Sequence, residues 1–312
     1  MRIAQFGEAL IDFTSTGPLA FQGHPGGSPL NTAVACARLG QPTGFFTQLS
    51  TDLFGEALYR YLEANGVDLR FVLRSAAPST LAFVEHAPGT NRYAFFRNGA
   101  AEASYDPRPL PELPSETRFV HFGSISLLQE PAASTIEAVV TASAGTKLVV
   151  LDPNVRPTLI PDLEAYRARF ARWLASTDLL KLSDEDVDLL APGVSPARVA
   201  EEWLAAGPRA VVITYGASGA ILHRPRAAPL EVSAPAVAVV DTIGAGDTFT
   251  AGLSVALAQR EVYTAEQLEG LPDEGWHQVL RFAAAAAALN CTRAGANSPH
   301  LAEVLAFLGW AR

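Results

Sequence analysis

The stretch that most limits what this chain can fold into is Asp241-Thr-Ile-Gly-Ala-Gly-Asp247-Thr-Phe-Thr-Ala-Gly252. An apolar β-branched run at 237–240 precedes it, and an alanine-rich apolar segment at 253–258 follows. That order predicts strand, glycine turn, helix. The glycines Gly244 and Gly246 let backbone amides point inward at the start of a helix. Four N–H groups there have no partner inside the helix, and such an end attracts anions. Asp247 puts a carboxylate on the same turn. A cradle for a migrating phosphoryl group beside a proton acceptor is what kinase chemistry needs. The same residues also suit a plain helix start, with Gly and Asp present for capping. Spacing alone does not separate the two readings.

Composition removes several alternatives. A chain of 312 residues can bury a large core, as one big α/β domain or one with a small appendage. Its 49% hydrophobic and 18% charged residues are those of a soluble globular protein. A net charge of −9 implies no basic surface for nucleic acid. It is also mildly unfavourable to a strongly anionic substrate, unless local arginines overrule it. Lysine occurs only at Lys147 and Lys181, so arginine carries nearly all the positive charge. No Gly-x-x-x-x-Gly-Lys-Ser/Thr run exists, which excludes a Walker-type phosphate loop. No Gly-x-Gly-x-x-Gly follows the first strand, which counts against a dinucleotide-binding dehydrogenase. Cys36 and Cys291 make neither a disulfide framework nor a zinc site, and the scattered histidines lack metal-ligand spacing. Two isolated thiols fit a reducing cytoplasm. Residues 1–7 read as a strand cut short by Glu8, not as a signal peptide, and 282–289 is too short to span a bilayer. A cytoplasmic protein without a membrane partner is expected.

Along the chain, strand and helix patterns alternate. Residues 2–6 read as a strand that continues through Asp12, and a Gly26-Gly27 loop enters a helix at 32–39. A strand at 43–49 and an amphipathic helix at 54–64 follow. This rhythm predicts a mostly parallel sheet with crossover helices. It breaks at 79–103, where 80–85 and 92–97 form a hairpin around Pro88-Gly89-Thr90-Asn91. With 11–21 this hairpin is expected to build a small sheet, a lid over a substrate cleft. The core would then comprise 1–10, 22–78 and 104–312. Strands at 119–122, 147–151, 179–182 and 210–214 restore the rhythm, and 219–232 reads as a second hairpin.

The segment 241–252 resembles the C-terminal signature of the ribokinase-like (PfkB) carbohydrate kinases, D-T-x-G-A-G-D followed shortly by a glycine. The resemblance covers nearly the whole chain. It implies a three-layer α/β/α fold with a small β-lid, and Asp247 as catalytic base. Gly244, Ala245 and Gly246 would line the anion hole with it. Pro25-Gly26-Gly27-Ser-Pro-Leu-Asn31 is similar to the family's first signature, which holds sugar hydroxyls, and Asp12 matches its carboxylate. Two acceptors and an amide suit a neutral polyol better than a phosphate. Arg97 resembles a lid arginine that faces substrate, and Arg156 in Asp152-Pro-Asn-Val-Arg156 follows a strand end, where α/β sheets place ligands.

On the nucleotide side, Ser183-Asp-Glu-Asp186 falls where the family usually carries Asn-x-x-Glu. Asp186, or Glu185 in its place, would help hold Mg²⁺ through water. The same run also reads as an acidic helix start capped by Ser183. Thr214, Gly216 and Gly219 resemble the nucleotide loop, and 284–295, beginning at Ala284, the segment that closes over adenine. Asp241, Ile243, Asn290, Arg293 and Gly295 match positions that hold a monovalent cation, potassium in such a site. ATP and Mg²⁺ are the implied cofactors. Within the family the motifs look most like those of fructokinases, with 2-keto-3-deoxygluconate kinase and then ribokinase as alternatives. Pairing of two lids would give a homodimer. A non-catalytic sugar- or nucleotide-binding member of the fold would be expected to lack Asp247 or its turn.

Overall fold

The computed structural model describes residues 1–87 and 90–310. Pro88 and Gly89 of the expected hairpin turn lie outside the described residues. β1 (Ile3–Phe6) is fully buried and apolar except for Gln5, as suits a strand covered on both faces. It stops at Gly7, whose φ is 144°. A Cβ on Gly7 would sit 2.3 Å from Pro29 Cγ. The chain therefore leaves the main sheet here, and the expected continuation of the first strand to Asp12 does not occur.

β2 (Leu10–Gly17) and β3 (Ala20–Gly26) instead form a hairpin in a second sheet. That sheet runs on through Gly26 and does not end at Phe21, because β3 keeps its pairing to the Leu10–Gly26 register. α1 (Ser28–Arg38) begins directly after Gly27, earlier than the expected 32. Pro29 has the φ that a first helical turn needs, and Gly27 as N-cap has a φ of 102°. β4 (Thr43–Ser50) returns to the main sheet, and α2 (Leu53–Ala64) starts on the Asp52 carboxylate, which accepts from the Gly55 N–H at 2.7 Å. β5 (Val72–Ser75), too short for its pattern to be noticed in the sequence, lies beside β4. β6 (Leu81–Ala87) and β7 (Thr90–Phe96) are the expected hairpin. β6 joins β2 in parallel.

From β8 (Phe119–Gly123) the chain alternates through α3 (Ala132–Ser143), β9 (Leu148–Asp152), α4 (Leu163–Leu174) and β10 (Leu179–Ser183). Then come α5 (Asp184–Leu190), α6 (Pro196–Ala206), β11 (Ala210–Thr214) and the antiparallel pair β12 (Ala220–His223) and β13 (Leu230–Val232). The last part is helical: α7 (Ala245–Gln259), α8 (Ala265–Glu269), α9 (Asp273–Cys291) and α10 (Leu301–Leu308). Among the described residues the main sheet runs β13-β12-β11-β10-β9-β8-β1-β4-β5, and the smaller sheet β3-β2-β6-β7.

Successive residues of one strand point to opposite faces, and the core follows that rule. Ile3, Phe119, Leu148 and Leu179 pack into one cluster with α7 and α9 side chains such as Leu253 and Phe282. Their neighbours Ala4, Val120, Val149 and Leu180 pack into another with Ile136, Phe170 and Val199 from α3, α4 and α6. Two buried faces make three layers. A third cluster, with Ile11 from β2, Leu30 from α1 and Leu58 from α2, fastens the smaller sheet to the core. α7 and α9 pack so closely that a Cβ on Gly252 would lie 2.7 Å from Ala283 Cα.

The apolar run at 237–240 is not a strand. Val239 and Val240 are 62% and 65% exposed. The N–H groups of Val240 and Asp241 donate to the Cys291 carbonyl, at 2.8 and 3.2 Å. β-Branched residues favour a strand only where a pleated neighbour exists. Here the chain instead passes the carbonyl end of α9, which offers an acceptor but no ladder.

Candidate active site

Two helix starts meet at the centre of the molecule. Gly244 is the N-cap of α7 in the left-handed region, φ 75°. A Cβ there would sit 2.6 Å from Ala296 Cβ, so conformation and space both demand glycine. The Ala245 N–H already donates to the Thr242 carbonyl at 3.2 Å, so this amide of the expected anion hole is engaged. Asp247 lies in the first turn of α7 and is 7% exposed. Its carboxylate is held from α1: Ser28 Oγ donates to Oδ1 at 2.6 Å and Asn31 Nδ2 to Oδ2 at 2.8 Å. Ser28 was not singled out in the sequence. Its position three residues before Asn31, on the same helix face, is the signal that could have found it.

Asp12 and Gly26 arrive from the smaller sheet. A Cβ on Gly26 would sit 2.0 Å from Asp12 Oδ2, so the glycine makes room for this carboxylate. Gly27 is less crowded, its Cβ lying 3.0 Å from the Glu8 carbonyl, but its φ of 102° favours glycine. The Asp12 carboxyl is pushed up to about 6, first by burial and then by the negative charge of Asp247, while Arg156 opposes both. Asp247 and Arg156 thus both act on the Asp12 carboxyl. Arg97 is placed differently. It is 8% exposed, donates to the Ile125 carbonyl at 3.1 Å, and faces the charges of Glu8 and Glu102 at the root of the smaller sheet.

Beneath the α7 turn lies a lysine that sequence reading passed over. Lys181 Nζ bonds Asp152 Oδ2 at 2.9 Å and would be 3.2 Å from a Cβ on Gly246. Thr250 Oγ1 donates to the same Asp152 oxygen at 2.7 Å. Asp152 Oδ1 is buried without a hydrogen-bond partner. Burial raises the Asp152 carboxyl above its usual range; Lys181 opposes this and Asp186 adds to it. A buried ammonium at the positive end of a helix is favourable only with anions close by. The available signal was a lone lysine inside the apolar strand Leu-Leu-Lys-Leu.

The expected metal and nucleotide residues are scattered in role. Asp186 forms a capping box: its Oδ2 accepts from Ser183 N and Oγ, at 3.0 and 2.7 Å, and its Oδ1 from Val155 N at 2.8 Å. An aspartate at this position is short enough to fold back on the helix start, so the capping reading of Ser183 and Asp186 holds. Glu185 is exposed. Thr214 Oγ1 donates to the Leu182 carbonyl at 3.3 Å. Gly219 (φ 107°) is held against β13, where a Cβ would meet the Val232 carbonyl at 2.0 Å, while Gly216 faces open space. Ala284 is 5% exposed and belongs to the α7–α9 core. It is a packing residue, contrary to expectation.

The expected cation positions are tied to one another. Asp241 accepts from Ile243 N (3.0 Å) and Gly295 N (2.8 Å). Asn290, fully buried, donates to the Ile243 carbonyl at 2.8 Å and accepts from Thr248 Oγ1 at 3.3 Å. Its side-chain amide braces the glycine turn with both ends. Arg293 pairs with Glu303.

A family model described as pfkB family carbohydrate kinase matches residues 2–303. The chain is 39% identical over 272 residues to a fructokinase of Rhizobium leguminosarum bv. trifolii, covering 86% of this chain and 83% of that one. Its fold superposes with a TM-score of 0.89 on a crystal structure of fructokinase with bound ATP from Xylella fastidiosa, at 32% identity and covering 99% and 98% of the two chains. A fructokinase from Vibrio cholerae in a fructose-, ADP- and calcium-bound form gives a TM-score of 0.86 at 27% identity, covering 98% of each.

Proposed function

Because the chain belongs to the pfkB family of carbohydrate kinases, we propose that it is a fructokinase, transferring the γ-phosphoryl group of ATP to the primary hydroxyl of D-fructose to give D-fructose 6-phosphate. The observation that carries this reading is Asp247, buried at the first turn of α7 and already bonded to a hydroxyl at 2.6 Å. Asp247 accepts the proton of the sugar hydroxyl as the new O–P bond forms. The open amides of the α7 start and the Lys181 ammonium behind Gly246 receive the charge of the transferred group. Asp12 and Asn31 orient the sugar by hydrogen bonds to its hydroxyls. At Asp12 the positive charge of Arg156 is opposed by the negative charge of Asp247, and the two carboxylates there favour a neutral hexose over the carboxylated 2-keto-3-deoxygluconate.

Mg²⁺ brought in with ATP fits beside Asp152, whose Oδ1 lacks a partner, with the charge of Asp186 nearby. When bound, it neutralises part of the phosphate charge. The groups expected to ring a potassium ion already bond one another, so no step is derived through one. A coupled ADP-release assay across fructose, 2-keto-3-deoxygluconate, ribose and adenosine tests the substrate. Turnover is expected to be fastest with fructose, and inactivity on fructose would refute the reading.

The Asp12 carboxyl sits at about 6. Its charged form, the better acceptor of hydroxyl hydrogen bonds, is complete only above that pH. The KM for sugar is therefore expected to rise as pH falls through about 6. Asp12→Asn should flatten this limb of the pH profile. An unchanged profile would remove Asp12 from sugar binding.

The smaller sheet acts as a lid that closes over bound sugar and excludes water. Its rings form a connected patch: Phe13 stacks on Phe83 at 4.7 Å, and Phe21 and Phe96 meet Phe83 edge-on. Phe96 is 63% exposed, and an exposed apolar sheet face favours pairing. We expect a lid-to-lid homodimer in solution, which Phe96→Asp should convert to monomer in size-exclusion chromatography with light scattering.

A further inference from the structure

Ser28 Oγ donates to Asp247 Oδ1 at 2.6 Å. That is the bond which the proposed base must make to an acceptor hydroxyl, within the reach expected of a general base and its proton. Ser28, like the sugar carbon that would be phosphorylated, carries a primary alcohol. It is half-buried, so the cleft can reach it. It stands at the start of α1, pressed against the start of α7 where the transferred group would be received. Nucleophile, base and anion-attracting turn are thus assembled in this chain before any sugar arrives.

We infer that Ser28 is a phosphoryl acceptor: with ATP bound and sugar absent, the protein phosphorylates its own Ser28. This rests on the kinase reading above. In the step, Ser28 Oγ forms a bond to the γ-phosphorus and the bond from that phosphorus to the ADP oxygen breaks. Its electron pair leaves with ADP, and the serine proton passes to Asp247 Oδ1. Nothing is oxidised or reduced. The product carries nearly two negative charges at neutral pH, set against Asp247 and close to Asp12. Charge repulsion and lost space then bar the sugar hydroxyl from the base, so the modified enzyme is inactive. Sugar protects, because its hydroxyl competes with Ser28 for the same carboxylate oxygen. The reaction is a self-limiting brake on a kinase that has ATP but no acceptor.

The full-length protein, incubated with MgATP and no sugar, is followed by intact mass and peptide mass spectrometry. The expected result is a gain of one phosphoryl mass on the peptide bearing Ser28, suppressed by saturating fructose and paralleled by loss of fructose turnover. Ser28→Ala should abolish the gain. So should Asp247→Asn, with its fold verified by circular dichroism and its ATP binding by calorimetry. An unmodified Ser28 in a preparation that phosphorylates fructose overturns the inference and leaves the kinase reading standing. A gain that survives in Asp247→Asn, or appears elsewhere in Ser28→Ala, also overturns it. A preparation that phosphorylates neither fructose nor itself overturns both.

Discussion

Asp247→Asn is expected to lower turnover on fructose by ~10²- to 10⁴-fold, the usual contribution of a positioned general base, while the variant still binds ATP. The amide is nearly the same size as the carboxylate, so the α7 turn has no steric reason to move. Its oxygen still accepts one of the two bonds that Ser28 and Asn31 now make to the carboxylate. Lost are the negative charge, with it the capacity to take a proton, and one of the two accepted bonds. Steady-state assays of ADP release, paired with calorimetric titration of ATP, separate the two effects. A variant that keeps near-normal turnover would mean that the proton leaves by another route, and the assignment of the site would fall with it. A variant that loses ATP binding as strongly as turnover would make Asp247 part of the nucleotide site instead.

Gly26→Ala should strike the sugar side alone. The new methyl carbon would lie 2.0 Å from Asp12 Oδ2 and 2.8 Å from its Cγ. No rotation of a single terminal atom relieves both contacts, so the whole carboxylate must swing away. Asp12 sits on β2, paired with β3 at His24, and the backbone cannot follow without breaking that register. Losing a placed acceptor for substrate hydroxyls typically costs on the order of 1–3 kcal/mol, more where the site is left with unpaired polar groups. We therefore expect kcat/KM for fructose to fall by about 10- to 100-fold, with the KM for ATP nearly unchanged. Gly17→Ala is the control, since a Cβ there meets nothing closer than 3.8 Å. If Gly26→Ala left kcat/KM intact, Asp12 would not be the sugar's acceptor.

Much of the architecture was legible because it depends on neighbours in the chain. Alternating strand and helix patterns are local, and so are the turn at Gly244 and Gly246 and the cap at Ser183. Errors arose where a local preference met a distant constraint. The valines at 237–240 favour a strand but meet no ladder. Gly7 breaks β1 because Pro29 occupies the space beside it. Ala284 matches a nucleotide position in the family pattern, yet it is buried in the core cluster that α7 and α9 side chains share.

By itself the sequence determined that a glycine turn would present a carboxylate at a helix start, and that the chain would build a mostly parallel sheet with a small appended one. Tertiary structure alone decided what touches that carboxylate. Ser28 and Asn31 lie 219 and 216 residues away from it, and Lys181 reaches the same turn from the sheet below. Dihedral preferences and hydrophobic period act over a few residues. The choice of a partner across most of the chain is made by how two layers of helices close on the sheet between them.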